Sequence, residues 1–397
     1  MSIGKGYYAA VFMIANFSTA VLAQHDFFQN GEAGFVVSHI EYALGEDAEN
    51  SGACPEGMTV GYSDPGAAFH NLPALRRQES EAEDKHVRRV FRAAFSGEET
   101  KNYCLNPELG SSRSTFRTVS GKNLAAEGID LDGVHSESED KPTTGTCRHD
   151  DFLGEDGQRG VDNQFFRVVG CSKSFQSTGL SNTYSIEMLT GAWGILIALN
   201  GVDDLHNDDY VEVGIHANAD PIRLSPNREA LQYATYAIDQ DPRFRATTVG
   251  RIKDGVLTTD PVDVRFHKIT NGMGMERPLI DASLHVSVSQ EGILEGYLAG
   301  FTPVEDMYDL QYGFRKGMQG GDLAPLRLRA GSAIGQAHVL GHTCDGAYYA
   351  LYQHADGSFD SEMGQCTSIS TQYRIKAIPA FVVDVPTASV NEDLVGG

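Results

Sequence analysis

The feature that most constrains this chain is a series of alternating apolar segments between residues 193 and 301, because a period of two buries one face only in a strand. Trp193-Gly-Ile-Leu-Ile-Ala-Leu199 reads as a buried run, and Tyr210-Val-Glu-Val-Gly-Ile215 alternates apolar with polar or small residues. Further strands are predicted at 246–252, 262–269, 282–288 and 292–301. Between Asp281 and Ser289, the residues Ala282, Leu284, Val286 and Val288 share one face while Ser283, His285 and Ser287 take the other, so one face is core and the other wet. Gln290-Glu-Gly292 suits a hairpin turn. Many strands, short turns and little intervening helix predict a mainly β fold, an antiparallel β-sandwich.

The flanks are less regular. Between Ser80 and Gly97, Val87, Val90, Phe91, Ala94 and Phe95 follow helical spacing, with Gly97 as the stop. Arg88, Arg89 and Arg92 make this helix the most basic local stretch, read as a solvated face over an apolar stripe. Ser225-Pro226 suggests a short helix through Ala230 and Leu231, and the segment from Cys344 to His354 has helical character. At 397 residues the chain exceeds the size at which one core usually stops growing. The organisation expected is a leader at 1–23, an irregular and helical cap region at 24–125, the β-sandwich at 126–310 and a disulfide-containing C-terminal extension at 311–397.

The leader carries one lysine, an apolar run from Ala9 to Ala15 and small residues ending at Ala23, the pattern of an export signal peptide. Asn16, Ser18 and Thr19 interrupt it too early for a span of about 20 apolar residues. The six cysteines agree with export, because disulfides persist in oxidising compartments, the periplasm or the cell exterior. Six cysteines allow about 15 connectivities. Sequence neighbours are the simplest: Cys54 with Cys104, Cys147 with Cys171, Cys344 with Cys366. No CxxC or CxxCH spacing points to zinc or c-type haem.

Net charge is −23, a surface that repels phosphate backbones. Nucleic acid is therefore excluded as a partner, and membrane contact is not expected once the leader is removed.

The acids are clustered. Between Cys147 and Cys171 lie five acidic side chains, four glycines and three amides, and just upstream stands Asp130-Leu-Asp132-Gly133. Carboxylates this close repel unless a cation or firm hydrogen bonds hold them, and glycine permits the turns that aim several oxygens at one point. Asp-x-Asp-Gly opens many calcium loops, yet position twelve from Asp130 is Lys141, so no EF-hand completes. Asp130 and Asp132, supplemented by Asp150, Asp151, Glu155, Asp156, Asp162 and Asn163, form the candidate metal set, with calcium as the cofactor its hard oxygens prefer. A third acidic turn, Asp356, Asp360 and Glu362, reads as a capped turn.

No GxSxG, HExxH, GxxxxGK[ST] or strand-to-helix GxGxxG occurs. His338 and His342, four apart, are read as ordinary polar residues because Gly335 and Gly341 break the helix a zinc pair would need. The function expected is an exported, disulfide-stabilised, calcium-binding β-sandwich with a binding or structural role at the cell envelope, its partner a glycan or envelope protein. The alternative is an extracellular polysaccharide hydrolase or lyase using Asp203, Asp204, His206, Asp208 and Asp209, the acidic cluster between two predicted strands.

Overall fold

The computed structural model describes residues 27–48, 52–58, 76–96, 107–109, 116–121, 123–136, 146–154, 157–172, 175–177, 188–189, 193–270, 273–314, 318–319, 322–323, 327–328 and 344–385. The expected leader lies outside these residues, as do Cys104, Glu155, Asp156, His338 and His342.

The chain begins with β1 (Phe28–Gln29) and β2 (Glu32–Tyr42), followed by α1 (Glu83–Ser96). A short hairpin, β3 (Phe152–Leu153) and β4 (Arg159–Val161), leads into α2 (Gln164–Val169). Then come β5 (Ile195–Asn200), β6 (Asp208–Ala217), β7 (Thr235–Ala237), β8 (Arg245–Lys253) and β9 (Val256–Thr259). Next are β10 (Val262–Thr270), β11 (Met273–Val288), β12 (Leu294–Pro303) and α3 (Val304–Tyr312). The two-residue strands β13 (Gly313–Phe314), β14 (Met318–Gln319), β15 (Asp322–Leu323) and β16 (Arg327–Leu328) precede α4 (Cys344–Gln353). The chain closes with β17 (Gly357–Asp360), β18 (Gln365–Pro379) and β19 (Phe381–Val383).

The fold is mainly β, with one large antiparallel sheet and few helices, as the alternation predicts. Its path runs β2-β5-β6-β8-β9-β11-β12-β18 and returns to β2. The N-terminal part of β2 pairs with β5, Glu32 opposite Asn200, while its C-terminal part pairs with β18, Tyr42 opposite Tyr373. Closure satisfies ladder groups that an open sheet would leave as templates for aggregation. The register on β18 slips by one at Ser38, whose Oγ donates to the Lys376 carbonyl at 3.1 Å, so the bulge costs no acceptor. The sheet draws strands from the N-terminal, central and C-terminal stretches of the sequence alike.

Burial follows the period-two pattern except at Ser283, expected on the wet face but buried where the β11–β12 register shifts. Ala282, Leu284 and Val286 are fully buried and His285 and Ser287 exposed. Trp193, Phe35, Ile40 and Tyr373 join them in one continuous core. The hairpin turn forms at Gly292, with φ of +78°, a backbone only glycine adopts without strain. The helix expected over Ser225–Leu231 does not form. Ser225 N–H donates to the Glu229 carbonyl and its own carbonyl accepts from Arg228 N–H around a turn, and Leu224 bridges Ala230. One turn of helix is a costly nucleus with nothing to propagate it, and Arg228 takes a φ of +65° that ends it. No helix among the described residues is long and apolar enough to cross a membrane.

The neighbour pairing of cysteines is overturned. Cys54 is joined to Cys171 and Cys147 to Cys366, each with Cα atoms 5.7 Å apart, across separations of 117 and 219 residues. Cys54–Cys104, Cys147–Cys171 and Cys344–Cys366 are thereby excluded. Loop-closure entropy rises only by about 0.6 kcal/mol per doubling of loop length, too little to outweigh where the fold brings thiols together. In the entropic model each long-range bond stabilises by roughly 5 kcal/mol through the unfolded chain. We predict that non-reducing peptide mapping recovers these two cross-links, and that the paired Cys147→Ser/Cys366→Ser variant is destabilised by about 3–5 kcal/mol in denaturant titration.

Candidate metal centre

The site is organised by β18. Gln372, 1% exposed, directs its amide at two loops: Oε1 accepts from the Ile129 N–H at 3.0 Å, and Nε2 donates to the carbonyls of Ile129 (2.7 Å) and Asp162 (2.6 Å). Gly128 permits that approach, since its φ is +142° and a Cβ there would lie 2.6 Å from the Gln372 amide carbon. Asn163, also 1% exposed, completes the clamp. Its Oδ1 caps α2 by accepting from Phe166 N–H (3.2 Å), and its Nδ2 donates to the carbonyls of Ala43 (2.7 Å) and Glu127 (3.0 Å).

These bonds bring the Asp-x-Asp-Gly loop against the start of α2. Asp130, Asp132 and Asp162 converge with one ligand oxygen each, all within 4.8 Å of one another. Oxygens at that spread can share one ion held at about 2.4 Å, the calcium–oxygen distance. The turn is shaped by its own acids: Asp130 Oδ1 accepts from Gly133 N–H and Asp132 Oδ1 from Val134 N–H, both at 2.7 Å. Asp162 Oδ2 accepts from Leu131 N–H at 2.7 Å, tying the two segments directly. Gly160, with φ of +88°, passes so near Asp130 that a Cβ would meet its Oδ2 at 3.1 Å.

The surroundings are crowded with charge. Burial pushes the Asp162 carboxyl up to about 9, opposed by the Leu131 N–H and reinforced by the charges of Asp356, Asp151 and Asp132. Asp356 is pushed up to about 7, again by burial against hydrogen bonds from Ser370, and its Oδ2 is buried without a hydrogen-bond partner among the described residues. Burial takes Asp151 to about 6, despite the bond from Ser136 N–H to its Oδ2 at 2.5 Å. The neighbouring Arg167 guanidinium is itself buried, donating to Gln164 Oε1 and to the Asp150 carbonyl at 2.7 Å over the Phe152 ring. Burial also lowers the paired imidazoles of His149 and His354, the latter to about 3, with His149 and Arg167 adding to the effect on His354. Protons or a divalent cation can each relieve the repulsion in such a set of carboxylates.

The other acids named from sequence have different posts. Asp151 braces the loop through Ser136, Asp150 contributes only its carbonyl to the bonds seen here, and Asn163 is spent on capping and clamping. In the third acidic turn Asp360 caps, its Oδ1 accepting from Glu362 and Met363 N–H, while Asp356 turns inward. The cluster from Asp203 to Asp209 spans the β5–β6 connection and the first two residues of β6. There Asp208 Oδ2 accepts from Asp203 N–H at 2.7 Å and Asp204 Oδ1 from His206 N–H at 2.8 Å. Asp203, Asp204, His206 and Asp209 are exposed. Two residues central to the site, Gln372 and Arg167, had no sequence signal beyond a polar side chain inside an otherwise buried segment.

No family model, no curated protein and no solved structure matches the chain.

The shifts fix a sign. Asp162 and Asp356 are raised above the unfolded carboxyl value of about 3.9, so the folded state holds protons that the unfolded state has lost, and stability falls as pH rises through the folded values. The depressed imidazoles act oppositely, but only below the unfolded value of about 6.5. We therefore predict that the chelated protein melts progressively lower between about pH 7 and pH 9, and that Asp162→Asn flattens this slope in thermal scans.

Proposed function

We propose that this chain is an exported, disulfide-braced β protein that binds a divalent cation, calcium, at Asp130, Asp132 and Asp162, and that it serves a binding or structural role at the cell envelope. The convergence of three carboxylates from two loops onto a space one ion can fill carries the reading. Two disulfides support an oxidising compartment, and the leader-like residues 1–23 support export. The hard, all-oxygen donor set favours calcium over thiophilic metals, and carbonyls and water would complete its six to eight ligands.

The role of such an ion is structural. The loop at 129–134 is fastened to the sheet by the Gln372 amide and to α2 by Asp162, and an ion there neutralises the repulsion that opposes both attachments. A cation that binds only the folded chain stabilises it by about 2.7 kcal/mol at a hundredfold excess over its Kd.

Metal analysis of the untreated oxidised protein, with thermal melting after exhaustive chelation and after calcium is restored, tests the proposal. One calcium per chain and a rise of a few degrees on restoration are expected, with Asp130→Asn and Asp162→Asn each abolishing the rise. No bound calcium together with no shift would overturn it.

A further inference from the structure

At the opposite end of β2 from the acidic site lies an open pocket of about 210 Å³, below the roughly 300 Å³ at which pockets for drug-sized ligands begin. Its floor is the sheet itself. Gly34 stands opposite Ala198, and one step along the same face Glu32 stands opposite Asn200. The small pair leaves a hollow and the polar pair edges it. The chain leading into β19 crosses above, where the Ala380 N–H donates to the Gly34 carbonyl at 2.8 Å and a Cβ on Gly34 would lie 2.6 Å from the Ala380 carbonyl oxygen. Gly34 is thus the residue that lets the wall close over the floor.

Tyr233 and Phe381 form the rim, their ring centroids 6.3 Å apart, 41% and 49% exposed. Together the two half-exposed rings present a paired aromatic surface beside the hollow. Tyr233 also holds a φ of +57°, a conformation bulky residues avoid, fixed by its N–H donating to the Pro379 carbonyl at 2.7 Å. Both rings line the pocket.

We infer that this pocket is a subsite for one ring of a neutral oligosaccharide. A pyranose presents an apolar C–H face, which suits the electron-rich faces of Tyr233 and Phe381, and a rim of hydroxyls that both donate and accept. The lining also supplies polar partners: the Gln29 amide, the Glu32 carboxylate and the Asn200 Oδ1, the Asn200 Nδ2 donating to Glu212 Oε1 at 3.2 Å. Neither Gln29 nor Glu32 has a side-chain hydrogen-bond partner among the described residues, so both are free to serve a ligand. No Lys, Arg or His is among the described lining residues, and Glu32 adds a negative charge, which disfavours sulfated, phosphorylated and uronic-acid sugars. The site uses no residue of the cation centre, and its success or failure is independent of that reading.

Titration of the full oxidised chain with maltotetraose, cellotetraose and chitotetraose, and separately with a heparin-derived tetrasaccharide, tests the assignment. Saturable binding of at least one neutral sugar is expected, weakened at least about tenfold by Phe381→Ala and by Tyr233→Gly. Glycine accepts the φ that tyrosine strains to hold, so Tyr233→Gly keeps or raises the melting temperature while losing the ligand; a merely structural tyrosine would lose stability and leave affinity unchanged. No neutral sugar bound up to about 10 mM, binding indifferent to both substitutions, or binding of the sulfated sugar alone would each overturn the inference.

Discussion

One buried amide joins the parts of this molecule that carry chemistry. Gln372 sits in the last long strand of the sheet and meets three backbone groups from two loops, so that strand, Asp-x-Asp-Gly turn and helix start are fixed relative to one another through a single side chain. A buried amide left unpaired costs about 1–3 kcal/mol per group, which makes the arrangement all or nothing: the loops are in register with β18 or several polar groups are stranded at once. The acids at Asp130, Asp132 and Asp162 converge because the backbone beneath them is held this way. Asn163 repeats the device, using one side chain to cap α2 and to hold the Ala43 carbonyl after β2 and the Glu127 carbonyl before the Asp-x-Asp-Gly turn.

What the sheet contributes is a rigid frame closed through β2. Because β2 pairs with both β5 and β18, the acidic loops fastened beyond its C-terminal end and the pocket over its N-terminal end share one stiff element. The Cys147–Cys366 bond fastens the segment bearing His149, Asp150 and Asp151 to the β17–β18 hairpin that Asp356 immediately precedes, and Cys54–Cys171 fastens the N-terminal stretch to the end of α2. Both cross-links therefore brace the region where carboxylates crowd and repel most strongly.

Much of this frame was legible in the residues. Alternation in 282–288 and 246–252 is a local signal, and it located strands β11 and β8 because burial of one face is decided residue by residue. Helix α1 was legible for the same reason, from the spacing of Val87, Val90 and Phe91. The Asp-x-Asp-Gly turn was visible too, since Gly133 and the two aspartates shape it through their own backbone bonds. Pairing of cysteines was not, because it depends on which distant segments meet, and separation along the chain is a poor guide when closure entropy grows so slowly. The choice of Asp162 over Asp150 or Asp151 as third acid of the triad, and the place of Gln372 beneath it, belong to the same class. They follow from β18 lying beside β2, a contact across more than three hundred residues.

On the proposed reading, the Gln372 clamp assembles the cation site. Calorimetric titration of calcium into the wild-type chain and into Gln372→Met, a replacement of similar shape that removes the amide, measures it directly. The account predicts one calcium per wild-type chain and an affinity at least about tenfold weaker in the variant, with its sheet still folded by circular dichroism. Equal affinity in the two, or no calcium bound by either, would contradict it.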